Sequence, residues 1–294
     1  MAVDKRVLKT GLATGAVCLG VGATACALLA PRHRNKELRE RWQGLSGYRY
    51  AHRGLHDNQT MAPENSLPAF RFAREWGYGS ELDVHLTADK QLVVIHDSNL
   101  QRACGVDAVV EELTLAQLRE HALFGSSQRV PLFSQVLDVY EADTDAPLPL
   151  VVELKTYKGN YAELTEASLA MLDAHRVPYC VESFDPRVLL WLRMHRPDVI
   201  RGQLSEDFRL DEGSDLGLIK GSLAGALIFN VAGRPDFVAY RFEHRRHPAL
   251  LLACGPLGAW RVYWTVGNAD DLHKADLKHA VSIFEGFAPE PTRA

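Results

Sequence analysis

The side chains of this chain that can do chemistry are concentrated between Tyr50 and Asp97. The order is Tyr50-Ala-His52-Arg53-Gly54, then Pro63-Glu64-Asn65-Ser66, then Glu81-Leu82-Asp83-Val84, then Val94-Ile95-His96-Asp97. The histidines, the arginine and the carboxylate pair lie at or near the ends of short apolar runs, where a strand hands over to a loop. Residues two apart on a strand share a face, so Glu81 and Asp83 aim two carboxylates at one place. A third acidic strand follows, Val151-Val152-Glu153-Leu154-Lys155, with Glu153 and Lys155 again on one face. Three carboxylates on neighbouring strands repel unless a cation joins them. Oxygen ligands favour a hard ion, Mg²⁺ or Ca²⁺, over zinc. Arg53 can grip a phosphate with two parallel hydrogen bonds. Lys155 can stabilise negative charge that grows in a transition state. Imidazoles such as His52 and His96 titrate near neutral pH and can take and give protons. The inventory is that for binding a divalent cation and a phosphate, with two imidazoles for proton transfer.

These groups must be brought together by the elements that carry them. Apolar runs place strands near residues 48–53, 79–86, 92–96, 149–155, 178–183, 199–205, 236–240 and 262–266. Helical patterns intervene over Ser66–Trp76, Tyr161–Ala174, Pro186–Met194 and Gly217–Phe229. Alternation of this kind marks a parallel α/β fold, and eight strands point to a (β/α)8 TIM-type barrel. The first helix is expected to be capped by Asn65 or Ser66. The span 98–148 exceeds a plain βα connection, and its helical piece Thr114–Leu123 predicts a small insertion beside the barrel mouth. Barrel chemistry sits at the C-terminal ends of strands, where His52, Glu81, Asp83, His96, Glu153 and Lys155 fall. Thr87, Asp89 and Asp97 read as loop formers, and His85 is set aside as facing away from both carboxylates.

The chain has 294 residues and is 47% apolar, which suits one large domain with an appendage. A net charge of -4 with scattered basic residues leaves no nucleic-acid footprint. The appendage is N-terminal. Thr10–Ala30 carries no formal charge, is flanked by Lys5, Arg6 and Lys9 and by Arg32 and Arg34, and is long enough to span a bilayer as a helix. The domains expected are therefore an anchor over 1–31, a juxtamembrane linker over 32–46 and a barrel over 47–294. The alternatives are a signal peptide cut near Ala23-Thr24-Ala25 and a buried core helix. Basic residues following the span outnumber those before it, which places the barrel in the cytoplasm. A cleaved signal peptide would place it outside the cytoplasm. Cys18 and Cys26 lie in the span. Cys104, Cys180 and Cys254 form an odd set that fits a reducing compartment.

At these residues the chain resembles the glycerophosphodiester phosphodiesterase family. The matching pieces are His52-Arg53-Gly54, Pro63-Glu64-Asn65-Ser66, Glu81-x-Asp83, Thr87-x-Asp89, His96-Asp97, Pro131-Leu132-Phe133, Glu153-x-Lys155, Ser183-Phe184 and Trp264-Thr265-Val266. The resemblance weakens towards the C-terminus. Gly267 intervenes before Asn268, and Ser282-Ile283-Phe284-Glu285-Gly286-Phe287 replaces a Gly-x-x-Thr-Asp-x-Pro-like strand end. This departure is expected to touch substrate contacts and barrel closure and to leave the metal carboxylates and histidines alone.

The resemblance implies a metal-dependent phosphodiesterase that releases sn-glycerol 3-phosphate and an alcohol from glycerophosphodiesters. His52 and His96 would be the acid–base pair, and Glu81, Asp83 and Glu153 the ligands of one divalent cation. Arg53 and Lys155 would bind phosphate. Glu64 and Asn65 would shape the first loop and orient His52 or the phosphate, and Phe184 and Trp264 would pack on the alcohol. Alternatives are a lysophospholipase D-like or polyglycerol-phosphate hydrolase at the membrane, and a degenerate barrel acting as a membrane binding module.

Overall fold

The computed structural model describes residues 36–142, 146–208 and 229–292, together with 31, 225 and 227. The span expected at Thr10–Ala30, its signal-peptide alternative and most of the helix expected over Gly217–Phe229 lie outside the described residues. Among the described residues no helix is long and apolar enough to cross a membrane.

Eight parallel strands close into a barrel: β1 (Tyr50–His52), β2 (Gly79–Leu86), β4 (Leu150–Leu154), β5 (Tyr179–Ser183), β6 (Arg201–Ser205), β7 (Phe237–Arg241), β8 (Trp260–Val266) and β9 (Val281–Phe284). The ring closes where β1 pairs with β2 on one side and β9 on the other. Two strand assignments are corrected. The run at 92–96 forms β3 (Leu92–Val94), which pairs antiparallel with β2 outside the ring. The turn Thr87–Gln91 between them is far too short for the crossover a parallel pair needs. The eighth barrel strand is instead β9, which also carries the divergent C-terminal motif.

Register does much of the assembly. It sets His52 opposite Glu81, Asp83 opposite Glu153, and Glu153 opposite Glu182. Four adjoining strands, β1, β2, β4 and β5, thus present these side chains in neighbouring rows before any loop is considered. Helices pack outside. Leu67–Glu75 is capped by Ser66, whose hydroxyl accepts the Ala69 N–H, and it buries Ala69, Phe70 and Ala73 towards the barrel wall. From Lys36 on, the stretch read as a linker is a helix to Ser46. Leu38, Trp42 and Leu45 share one face of it at helical spacing. Trp42 stacks on Trp260 and Phe237, at ring distances of 4.6 and 5.4 Å, where β7 and β8 begin. The helix therefore closes the end of the barrel opposite the strand C-termini.

The expected insertion is present. It has its own small core of Val93, Ile95, Leu100, Ala103, Val110, Leu118, Leu123 and Val130. Its short helices include Gln101–Cys104 and Leu115–Leu118, the second opened by a reciprocal Thr114/Gln117 cap. A separate core lets the insertion hold its shape while it lies against the mouth.

Candidate active site

A cavity of about 480 Å³ opens at the C-terminal ends of the strands. His52, Arg53, Glu81, His96, Glu153, Lys155, Phe184 and Trp264 line it. Asp83, Asn65 and Glu64 are buried and stand behind these residues. Every residue singled out from the sequence is therefore in or directly against one site.

Carboxylate oxygens of Glu81, Asp83 and Glu153 come within 4.8 Å of one another, and all three side chains are buried. Burial, with Asp83 and Glu153 nearby, pushes Glu81 well above the usual carboxylate range. Burial is the largest influence on Asp83 and raises it, but Lys155, His96, Arg53 and the Asn65 hydrogen bond together hold Asp83 well below that range. A Coulombic conflict of this kind among buried oxygens is what a divalent cation resolves. Asp83 Oδ1 is buried and accepts no hydrogen bond, although Lys155 Nζ stands 3.1 Å away. The all-oxygen donor set and this oxygen fit a hard cation.

The cationic groups meet the same carboxylates from above. Lys155 Nζ lies 2.8 Å from Glu153 Oε1. Burial would lower its pKa, but Asp83 and Glu153 raise it, so the ammonium stays charged. Arg53 turns its backbone into the left-handed region (φ 53°), and Gly54 continues it (φ 82°). A Cβ at Gly54 would come within 2.8 Å of the Ala69 backbone, so glycine is required there. The turn lets the Arg53 N–H donate to Glu81 Oε2 (3.2 Å) while its Nη1 donates to Glu64 Oε1 (2.8 Å). Asn65 Nδ2 donates to Asp83 Oδ2 (2.9 Å). Glu64 and Asn65 therefore orient Arg53 and Asp83, and neither touches His52.

Both histidines are held alike. His52 Nδ1 is 2.6 Å from Glu285 Oε2, and His96 Nδ1 is 2.6 Å from Asp97 Oδ1. An ionised carboxylate only accepts, so in each pair Nδ1–H donates and Nε2 is left for a ligand. His52 Nε2 sits 3.8 Å from Glu81 Oε2. Burial lowers the pKa of His52 despite its bond to Glu285. His56 also reaches Glu285, at 3.5 Å. Burial there opposes charge, yet the bond to and charge of Glu285, with the Gly54 carbonyl and Glu64, together raise the His56 pKa.

Several participants escape a reading of the sequence. Glu285 lies in the divergent motif and touches His52 directly, contrary to the expectation that this departure spares the histidines. Asp97, read as a loop former, is the partner of His96. Glu182 lines the cavity beside Glu153, its carboxylate pushed well up by burial. Its position two residues before Phe184 on an apolar strand was the available signal. The reading that turns His85 away from the carboxylates is incorrect, because residues two apart share a face. His85 is kept from the cavity by burial under the insertion. There its ring nitrogens meet Glu111 Oε1 (2.6 Å) and the His96 carbonyl (3.2 Å).

Glu64 carries a measurable acid sensitivity. Burial raises its pKa, but hydrogen bonds and charge from Arg102 and Arg53 bring it down to about 2 from 4.5. A depressed carboxylate contributes stability that is full above its unfolded pKa and is lost as pH falls through the folded value. The difference of about 2.5 units corresponds to about 3 kcal/mol, lost between about pH 5 and about pH 2. Urea unfolding across that range should show the loss, and Glu64→Gln should flatten it. An identical acid limb in both proteins would assign the sensitivity elsewhere.

Comparison with known proteins agrees with this geometry. The model of the "Glycerophosphoryl diester phosphodiesterase family" matches residues 52–275. A glycerophosphodiester phosphodiesterase of Caldanaerobacter subterraneus subsp. tengcongensis is 35% identical over 236 residues, covering 76% of this chain and 87% of the relative. A human lysophospholipase D is 33% identical over 104 residues, 31% of this chain and 32% of the relative. Among solved structures, an Oleispira antarctica phosphodiesterase in complex with the product sn-glycerol-3-phosphate superposes with a TM-score of 0.63. It is 20% identical and covers 80% of this chain and 91% of its own.

Proposed function

Since the chain belongs to the glycerophosphoryl diester phosphodiesterase family, we propose that it hydrolyses glycerophosphodiesters to sn-glycerol 3-phosphate and an alcohol, with His52 and His96 as the acid–base pair. The observation that carries the assignment of roles is the matched pair of carboxylate-held imidazoles, each with Nδ1 fixed at 2.6 Å. Burial favours neutral His52, which makes its Nε2 the base that takes the proton of the nucleophile, either water or the neighbouring glycerol hydroxyl, whose cyclic phosphate water then opens. His96, on the opposite flank and more open to solvent, gives a proton to the leaving alkoxide. Arg53 and Lys155 hold the phosphate oxygens and meet the charge that builds on them. Glu81, Asp83 and Glu153 would hold one divalent cation, Mg²⁺ or Ca²⁺. Bound there, it would polarise the phosphoryl oxygens as a Lewis acid. Phe184 and Trp264 meet edge to face (5.7 Å, 89°) and form the wall for the alcohol.

A second substrate reading is favoured by one observation. A mostly apolar cavity of about 400 Å³, lined by Phe208, Leu227 and Phe229, shares Phe184 and Leu204 with the site. Such a wall suits the hydrocarbon of a lysophospholipid. The uncharged run Thr10–Ala30, as a membrane anchor with the barrel on the cytoplasmic side, would hold the site near such lipids.

The test is release of glycerol 3-phosphate from glycerophosphocholine by the full chain, with EDTA, Mg²⁺ or Ca²⁺ and with lysophosphatidylcholine in parallel. Cation-dependent release from glycerophosphocholine is expected. Turnover of the lysolipid alone would move the assignment to lipid hydrolysis. No turnover of either by the folded, cation-loaded protein would overturn the reading and leave the binding-module alternative.

A further inference from the structure

Just outside the cavity, one guanidinium joins the two sides of the site. Arg102 stands on the insertion, in the helix Gln101–Cys104. Its Nε donates to Asp97 Oδ2 (2.5 Å), and its Nη1 and Nη2 donate to Glu64 Oε2 (2.9 Å) and Oε1 (2.6 Å). Asp97 is the carboxylate that holds His96, and Glu64 is the carboxylate that holds Arg53. An unbroken chain of short, charge-assisted bonds thus runs from the imidazole on one flank to the phosphate-binding arginine on the other. Arg102, Glu64 and Asp97 are not among the residues that line the cavity. Arg102 therefore has no place to touch a substrate held there.

The bland reading is a surface ion pair. Arg102 is 45% exposed, and exposed pairs contribute little. Its partner differs from that case. Glu64 is 7% exposed and accepts from Arg53, Asn58 and Arg102 together. Truncating one member of such a network leaves a buried charge short of donors. The three bonds of Arg102 use the fixed fork of a guanidinium, which an ammonium on a flexible stem cannot copy. Phe124 of the insertion lies under the guanidinium, 5.5 Å from its centre, and helps keep the fork in place.

We propose that Arg102 is a positioning residue that fixes the His96 imidazole and the Arg53 guanidinium relative to each other, through Asp97 and Glu64. This rests on the acid–base reading above. It gives the insertion a task in the reaction: its first helix supplies the link.

The experiment uses the full chain with bound cation and glycerophosphocholine. Arg102→Gln should lower kcat about 10- to 100-fold, the scale of a misplacement near 1 Å, while KM moves far less. Arg102→Lys should recover little. Millimolar guanidinium added to Arg102→Gln should restore a substantial part of the rate. Asp97→Asn combined with Arg102→Gln should lose less than the product of the single losses, as members of one network do. A readout free of turnover is the ring ¹⁵N spectrum of His96, which should show one Nδ1–H tautomer in the wild type and a mixture in Arg102→Gln. A kcat within twofold of wild type, or an unchanged His96 spectrum, would overturn the proposal. An inactive wild type would strike the phosphodiesterase reading instead, and the His96 spectrum would still decide the role of Arg102.

Discussion

Alanine at His52 is expected to lower kcat about 10²- to 10⁴-fold, the span associated with losing a positioned general base. The imidazole holds the geometry for that role: Nδ1 is tied to Glu285 and Nε2 is turned towards Glu81. On the proposed reading the phosphate falls to other residues, Arg53 and Lys155, so KM should change little. Folding should survive, because the orphaned partner Glu285 is 43% exposed and can be hydrated. Steady-state kinetics with single-turnover measurements would show whether chemistry is the step that slows. A variant that retained a tenth of the wild-type kcat, with chemistry rate-limiting in both, would remove His52 from the reaction.

Glutamine at Glu81 should separate activity from stability. The substitution keeps an oxygen to accept the Arg53 N–H but removes one of three buried negative charges. Cation binding should weaken at least about 100-fold, and turnover should fall by about 10³ or more, because the ion's charge stabilisation is lost with it. In EDTA the same protein should be more stable than wild type, since burial and its two acidic neighbours already disfavour the Glu81 carboxylate. Titration calorimetry with Mg²⁺ and Ca²⁺ reads the first effect, and urea unfolding in EDTA reads the second. Unchanged cation affinity would take Glu81 out of the ligand set. Lower stability in EDTA would show that the carboxylate is satisfied by the protein alone.

The sequence made the centre of the site legible because strand parity and strand ends are properties of a few consecutive residues. Glu81 with Asp83, Glu153 with Lys155, and His52 at the close of β1 all follow from local pattern. The partner of His52 stays hidden because a contact between strands far apart in the chain leaves no trace in spacing. Glu285 directly follows β9, a strand that the apolar pattern does not reveal. Val281–Phe284 is short and, buried throughout, shows no polar alternation to mark it. β3 stands in its place in the apolar pattern, since Leu92–Val94 reads like any buried strand. Only the length of the turn before it tells direction. Arg102 escapes local pattern for a different reason: it sits in the insertion, whose path against the first loop no local rule supplies.

The closing strand has a bearing on how the enzyme comes into being. His52 is among the first barrel residues to leave the ribosome, and its partner Glu285, 233 residues later, is among the last. β9 also completes the ring by pairing with β1. On the proposed acid–base reading, closing the ring and fixing His52 are therefore one event, which waits for β9. A chain that stops short of β9 already holds the carboxylate cluster and both histidines but lacks the carboxylate that fixes His52. A protease cut just before Val281 would silence the mature protein in the same stroke.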